Sequence, residues 1–180
     1  MSDIPWTFEP RPDSRVTNIR LGMWLFLASE AMLFGSMFSA YILLRAGAAS
    51  WPNARDLITF AHTALPTVFL VLGTGLAVRR KPALVIVFGI LFVLVKASDL
   101  VGLWNAGVQP AQHVMVGAWY VMCGLHWVHV GGGTVAAAWI AASVKRIPAA
   151  HYEERLRALR LYWMFLDVVW LGIIICFFVN

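Results

Sequence analysis

Five stretches of this chain are apolar and long enough to cross a lipid bilayer. A membrane-spanning helix needs about 20 mostly apolar residues, because the hydrocarbon core is about 30 Å thick and each helical residue adds about 1.5 Å. The five stretches lie at residues 21–44, 57–78, 83–104, 116–142 and 161–179. Of the 180 residues, 61% are hydrophobic and only 13% are charged, whereas about 25% are charged in an ordinary soluble domain. The sequence therefore predicts an all-α, polytopic membrane protein, with residues 21–180 forming one bundle of five transmembrane helices.

The first 20 residues differ in character from the rest of the chain. The segment MSDIPWTFEPRPDSRVTNIR is polar and carries three prolines. It lacks the apolar core of a secretory signal. We therefore expect residues 1–20 to form a polar N-terminal arm that lies at the membrane surface.

The positive charges predict how the bundle is oriented. Cytoplasmic flanks of membrane helices retain Lys and Arg. If the N-terminus is inside, the outer flanks carry only Arg45 and Arg55. The cytoplasmic flanks then carry Arg11, Arg15, Arg20, Arg79, Arg80, Lys81, Lys145, Arg146, Arg155, Arg157 and Arg160. We therefore expect the N-terminus inside and the C-terminus outside. Since these flanks account for the net charge of +5 and no basic patch is interleaved with aromatic residues, no nucleic-acid partner is expected.

Six ionisable side chains lie within the predicted spans, where burial of each charge costs about 2.5–3.5 kcal/mol on insertion scales. They are Glu30, Lys96, Asp99, His126, His129 and Asp167. Glu30 lies roughly 15 Å into the first span, by about ten residues of helical rise. Two hypotheses stay open for it, a proton-exchanging or gating carboxyl and an interhelical hydrogen bond that orients the bundle. Asp167 is a partner for Glu30 only if their helices face each other.

Two pairs of these residues are spaced i, i+3, which places both members on one helix face. Lys96 and Asp99 form one pair, and we expect them to neutralise each other as a structural pair rather than a transport site. His126 and His129 form the other, which suits two hydrogen bonds to a facing helix or a shared metal. A metal needs further ligands at the same depth, so structural histidines are the favoured interpretation.

Catalytic and cofactor motifs are missing from the sequence. No nucleophile elbow, phosphate-binding loop or dinucleotide fingerprint is present, and His62 and His113 lie too far from mid-membrane to pair with His126 or His129 across a haem. The two cysteines, Cys123 and Cys176, have no ligand-like spacing and are expected to be buried free thiols. We therefore predict no catalytic residue, metal or haem on this chain.

Small residues cluster in the first and fourth spans, where they allow helix backbones to approach closely. The candidate packing residues are Ser29, Gly35, Ser36, Gly131, Gly132 and Gly133. Tryptophans, among them Trp119 and Trp163, fall mostly near span ends, where indole rings prefer the membrane–water interface.

Four segments resemble subunit III of the haem–copper respiratory oxidases. The first span, LGMWLFLASEAMLFGSMFSAYILLR, is similar to the family's Ser-Glu helix, with Glu30 at the glutamate, and the last, YWMFLDVVWLGIIICFF, is similar to its Tyr-Trp-His-Phe-x-Asp-Val-Val-Trp pattern. Between them, LVKASDL and LHWVHVGGG resemble two further family segments in the same order. Asp99 stands where the family usually has Glu, Met164 where it has His, and Trp127 where it has Gly. The resemblance is to the short, five-helix bacterial form.

The resemblance implies a non-catalytic subunit of a proton-pumping terminal oxidase that reduces dioxygen to water. Such a subunit docks directly on subunit I in the bacterial cytoplasmic (inner) membrane, beside subunit II and other subunits. Haem and copper belong to those partners, while this chain is expected to bind phospholipid, to stabilise subunit I and to support its proton uptake. By the same resemblance Glu30 matches the family's buried carboxylate, and Asp99, His126, His129 and Asp167 match its polar network.

Other functions stay open from the sequence alone. The electron donor of the complex is either cytochrome c or a quinol, and a related five-helix protein associates with nitric oxide reductases. A small transporter or proton channel built on Glu30, Lys96 and Asp99 is a further alternative, although only Pro66 hints at the broken helix that transporters use. A haem-binding membrane cytochrome would show a Soret band in the isolated chain.

Overall fold

The computed structural model describes residues 17–58 and 61–178. Within those ranges the chain forms six helices and no strand, which confirms the all-α prediction. The helices are α1 (Asn18–Gly47), α2 (Ala54–Leu57), α3 (Ala61–Val78), α4 (Pro82–Asn105), α5 (Val114–Ser143) and α6 (Ala149–Phe178). Most of the predicted N-terminal arm, residues 1–16, lies outside the described residues.

Four of these helices, α1, α4, α5 and α6, are long and apolar enough to cross a membrane by length and composition. The predicted span at 57–78 corresponds to α3, which is apolar but shorter. The predicted span at 161–179 corresponds to the second part of α6. That helix begins at Ala149, twelve residues before the predicted span. The described part of the chain therefore has the long apolar helices of a multi-pass membrane protein.

Tight turns make successive helices antiparallel. Between α3 and α4, Arg80 adopts a positive φ of 58°, and the Lys81 amide donates to the Leu76 carbonyl at 3.0 Å. Pro82 then begins α4, where its missing N–H costs no hydrogen bond. At the other end of α4 the chain reverses at Gly107, whose φ of 82° favours glycine.

Helices α3, α4, α5 and α6 pack as a ring, each against its neighbours in sequence, with α6 closing the ring against α3. Helix α1 lies outside this ring, against α6 and α5. We call the end of the bundle with the N-termini of α1 and α6 the Arg20 end. The opposite end, with α2 and the α4–α5 connection, is the Trp51 end.

Large aromatic side chains fill the centre of the ring. Trp119 and Trp163 are fully buried, and Trp170 is 2% exposed. The prediction that Trp119 and Trp163 lie near the membrane interface concerns their depth in the bilayer, which burial does not measure, and it stays a prediction. Both rings contact neighbouring helices, since Trp119 packs against Phe177 of α6 and Trp163 packs against Gly73 of α3.

Candidate functional site

The structure brings Glu30 of α1 and His129 of α5 together. The Glu30 Oε2 and His129 Nε2 atoms are 2.8 Å apart. The two side chains are only 14% and 13% exposed. The interhelical hydrogen bond that the sequence allowed for Glu30 is thus present, and its partner is a histidine 99 positions along the chain.

This pair shares a single proton. The His129 Nδ1 atom is 2.7 Å from the Leu125 carbonyl oxygen, which can only accept, so Nδ1 carries a hydrogen and donates. One further proton then lies between Nε2 and the Glu30 carboxyl, either as a neutral acid and imidazole or as a carboxylate and imidazolium. In both arrangements the pair has no net charge, which removes most of the cost of placing ionisable groups inside a bilayer.

Neighbouring rings hold the pair in place. Phe34 of α1 meets the His129 ring edge-on, with centroids 5.2 Å apart. The Tyr162 hydroxyl of α6 donates to the His129 backbone carbonyl at 2.9 Å. Three helices therefore meet at the pair, and α6 fixes the segment of α5 that carries the imidazole.

Lys96 lies in a second polar cluster at the centre of the ring. It is fully buried, with its Nζ 4.6 Å from the Trp119 ring centroid and 5.0 Å from that of Trp170. Ammonium groups over indole faces are stabilised by the negative ring face. Lys96 and Asp99 both have further interaction partners in the structure. The sequence identified this lysine but not the two indoles, because helical spacing within α4 says nothing about what α5 and α6 place opposite it.

His126 joins α5 to α6. Its Nε2 lies 3.1 Å from the Leu166 carbonyl oxygen and therefore donates to it. The ring stacks on Trp170 with centroids 5.2 Å apart and meets Phe92 edge-on at 5.5 Å. His126 and His129 thus make hydrogen bonds to different partners. Among the described residues, no group of three or more His, Cys, Asp and Glu side chains is placed to hold a metal ion.

Asp167 does not meet Glu30. It lies across from Thr74, in the contact between α6 and α3, whereas Glu30 lies in the contact between α1 and α5. The Thr74 hydroxyl donates to the Trp163 carbonyl at 3.4 Å, and the Trp170 indole donates to the Thr67 hydroxyl at 2.8 Å. The polar side chains of α3 and α6 therefore line one seam of the ring.

The candidate packing residues divide into two groups. A Cβ atom on Gly133 would lie 2.7 Å from the Tyr162 ring, so this glycine allows close contact between α5 and α6. Gly35, Gly131 and Gly132 have no atom of the described chain within 4 Å of such a Cβ. Ser29 and Ser36 are exposed, and each hydroxyl donates to a carbonyl of its own helix.

Close approaches that the sequence did not indicate involve three other glycines. A Cβ on Gly172 would lie 2.9 Å from Phe38, one on Gly73 3.0 Å from Trp163, and one on Gly89 would overlap Thr134. The sequence around these single glycines does not indicate which side chains of the neighbouring helices they contact.

A groove of about 560 Å³ opens between α1, α5 and α6 towards the Arg20 end. Its walls are almost entirely apolar, and the one charged side chain, Arg155, stacks 4.3 Å from the Trp139 ring. Phe26, Gly132 and Tyr162 form part of the lining, which is shared with the surroundings of the Glu30–His129 pair. The groove therefore lies beside the residues that surround the Glu30–His129 pair, with Arg155 as its charged side chain.

Ion pairs close the Arg20 end. Arg20 of α1 donates to both carboxyl oxygens of Glu154 on α6, at 2.8 and 2.9 Å. Glu154 also accepts from Arg157 at 2.8 Å. The hydrogen bond from Arg20 holds the pKa of the Glu154 carboxyl below its usual value. Sequence reasoning counted these arginines only as orienting charges and did not single out Glu154.

Comparison with known proteins gives consistent matches. A family model described as cytochrome c oxidase subunit III matches residues 42–180. Cytochrome bo(3) ubiquinol oxidase subunit 3 of Pseudomonas putida is 29% identical over 171 residues, covering 84% of this chain and 80% of the relative. Cytochrome c oxidase subunit 3 of Corynebacterium diphtheriae is 25% identical, covering 90% and 88%.

A third relative joins two subunits in one chain. The heme-copper oxidase subunit I+III of Aeropyrum pernix is 27% identical over 175 residues. The match covers 85% of this chain and 22% of that protein. The similarity therefore covers most of this chain but only a small part of that longer protein.

Proposed function

This chain belongs to the cytochrome c oxidase subunit III family, and on that premise we propose that it is the non-catalytic subunit III of a proton-pumping haem–copper terminal oxidase. The observation that supports the proposal beyond the family is the Glu30–His129 pair, two ionisable side chains that are hydrogen-bonded to each other between α1 and α5. Ionisable groups that neutralise each other suit a supporting subunit. Haem and copper are then carried by partner subunits.

The proposed topology has five membrane crossings, with the N-terminus and the Arg20 end on the cytoplasmic side of a bacterial inner membrane. The excess of Lys and Arg in the predicted cytoplasmic flanks supports it. Helix α3 is the short fifth crossing. Reporter fusions after residues 48 and 109 should both face outward, and fusions after residues 81 and 147 should both face the cytoplasm.

Subunit I is the proposed direct partner, beside subunit II and the other subunits of the complex. The relative named subunit I+III supports this choice, because two subunits encoded as one chain must lie in one complex. In this complex the chain stabilises subunit I. Since the relative in Pseudomonas putida is named a ubiquinol oxidase subunit, a quinol is a second candidate for the electron donor beside cytochrome c.

Phospholipid is the proposed ligand of the groove beside α1. Its apolar walls suit an acyl chain, and Arg155 at the rim suits a headgroup phosphate. Arg155→Ala should lower the phospholipid that stays with the purified complex, as counted by mass spectrometry. Arg146→Ala, an exposed arginine outside the groove, is the matched control. Equal lipid content in both variants would contradict the assignment.

The proposed role of the Glu30–His129 pair is to hold an exchangeable proton within the membrane and so to support proton uptake by subunit I. Glu30→Gln keeps a hydrogen-bonding group beside His129 but removes the acid, whereas Glu30→Ala removes both. Both variants should keep most of the initial oxygen consumption of the complex and lose activity earlier during turnover. Only Glu30→Ala should also lower thermal stability, because only it leaves the His129 Nε2 atom without a hydrogen-bond partner.

Either of two results would overturn this role. Turnover of Glu30→Gln that lasts as long as wild-type turnover would make the pair purely structural. Complete loss of the initial rate in an assembled Glu30→Gln complex would make it an obligatory proton route.

A further inference from the structure

A histidine caps the N-terminus of α5 at the Trp51 end. His113 has extended backbone angles, φ −159° and ψ 145°, and its Nδ1 accepts a hydrogen bond from the Met115 amide at 3.0 Å. The first amides of a helix have no partner within the helix. The Met115 and Val116 side chains are fully buried. The cap therefore satisfies an amide next to the core, where replacement by water is unfavourable.

The hydrogen bond requires one protonation state. To accept, Nδ1 must be free of hydrogen, so the ring is neutral and its proton is on Nε2. A second proton would place two donors face to face and would add positive charge at the positive end of the helix dipole. Asparagine and serine, which are preferred N-caps, do not titrate in the physiological range. The choice of histidine is thus what makes this cap depend on pH.

The surroundings of the ring contain few competing charges. Trp51 meets it edge-on with centroids 5.2 Å apart. The charged or titratable side chains at this end of the bundle are Tyr41 and Arg45 of α1, Arg55 and Asp56 of α2, Tyr120 of α5 and Cys176 of α6. The described contacts of the imidazole are the Trp51 ring and the Met115 amide. Arg55 instead donates to the Phe178 carbonyl at 2.8 Å.

We propose that His113 is a pH-sensitive cap, whose protonation releases the first turn of α5 and the connection at 106–113. Under the proposed topology the Trp51 end faces the outer side, into which a proton-pumping oxidase exports protons. That physiological direction rests on the proposed function, whereas the dependence on pH rests on the cap geometry. Protonation of His113 would then loosen the outer end of α5, the helix that carries His126 and His129, when the outer side becomes acidic.

Hydrogen–deuterium exchange of the assembled complex tests the proposal. Peptides that cover residues 114–118 are followed at pH 7.5 and pH 5.5, with rates corrected for intrinsic exchange. In the wild type the protection of these amides should fall about fivefold at the lower pH, the typical effect of losing an N-cap. His113→Asn caps without titrating, so its protection should stay high at both values. Peptides from the middle of α5 serve as internal controls.

Two outcomes would overturn the proposal: wild-type protection that is equal at both pH values, or His113→Asn protection that falls as much as in the wild type. His113→Ala should show low protection at both values, but the decision needs only the wild type and the asparagine variant. Oxygen consumption of the same preparations reports separately on the proposed function.

Discussion

At the scale of single residues, Glu30 and His129 lower the cost of each other's burial. Each alone would be an ionisable group within a bilayer, but together they hold one proton and no net charge. The sequence identified both side chains as ionisable groups within predicted spans. It left two roles open for Glu30, structural or proton-exchanging, and favoured a structural role for His129. It could not pair them, because which faces of α1 and α5 meet depends on the packing of the whole bundle.

Gly133 supports the pair by allowing Tyr162 to approach α5. The ring cannot move away easily, because its hydroxyl is bonded to the His129 carbonyl. Gly133→Ala should therefore destabilise the protein by about 1–3 kcal/mol, as overpacked cores do. The unfolding midpoint of the purified complex measures this effect.

Gly132→Ala is the matched control, since its Cβ would meet nothing within 4 Å in this chain. That variant should unfold at the wild-type midpoint. Equal midpoints for the two variants would refute the close contact at Gly133.

At the scale of elements, α6 extends beyond its apolar part. Its first turns, from Ala149, carry the charged residues that contact α1 and the α3–α4 turn. The pair Arg80–Glu153 is 2.6 Å long, and Arg20–Glu154 is 2.8 Å long. The Arg20–Glu154 pair fastens the outlying helix α1 to α6, whereas the Arg80–Glu153 pair joins the α3–α4 turn to α6.

The Arg20–Glu154 pair should make this fastening depend on pH. The folded-state pKa of Glu154 lies below its unfolded value, so its contribution is complete above the unfolded value of about 4.3 and is lost as the pH falls through the folded one. Because the Arg20 side chain is 42% exposed, the contribution is at most about 1 kcal/mol.

Thermal unfolding at pH 7 and pH 4 measures it. Glu154→Gln should be less stable than the wild type at pH 7, and the difference should shrink at pH 4. Glu153→Gln, which alters the neighbouring pair instead, is the control. A Glu154→Gln difference that stays constant between the two pH values would argue against the depressed pKa.

The sequence predicted the elements better than their contacts. Hydropathy located the apolar part of every long helix, since membrane thickness sets a length that can be counted along the chain. It missed the start of α6 at Ala149, because a helix that continues outside the bilayer need not be apolar. The inward-facing Trp119 and the indoles around Lys96 were missed for another reason, since the rotation of each helix about its axis is a tertiary property.

At the scale of the whole molecule, a closed ring of four helices carries one outlying helix. The ring is held by buried aromatic side chains, whereas α1 is held mainly by one stripe of residues, Leu27, Phe34 and Tyr41, and by the Glu30–His129 pair. The groove with Arg155 opens beside this outlying helix. The Glu30–His129 pair and the apolar groove therefore both lie where α1 meets the ring.

The most direct test of the central claim is purification of the native assembly through an affinity tag on this chain, followed by measurement of its haem and copper content. We predict that a larger, histidine-rich subunit co-purifies, that the haem and copper are in the partner subunits, and that the separated chain shows no Soret band. A chain that purifies alone as a stable, haem-containing protein would contradict the account.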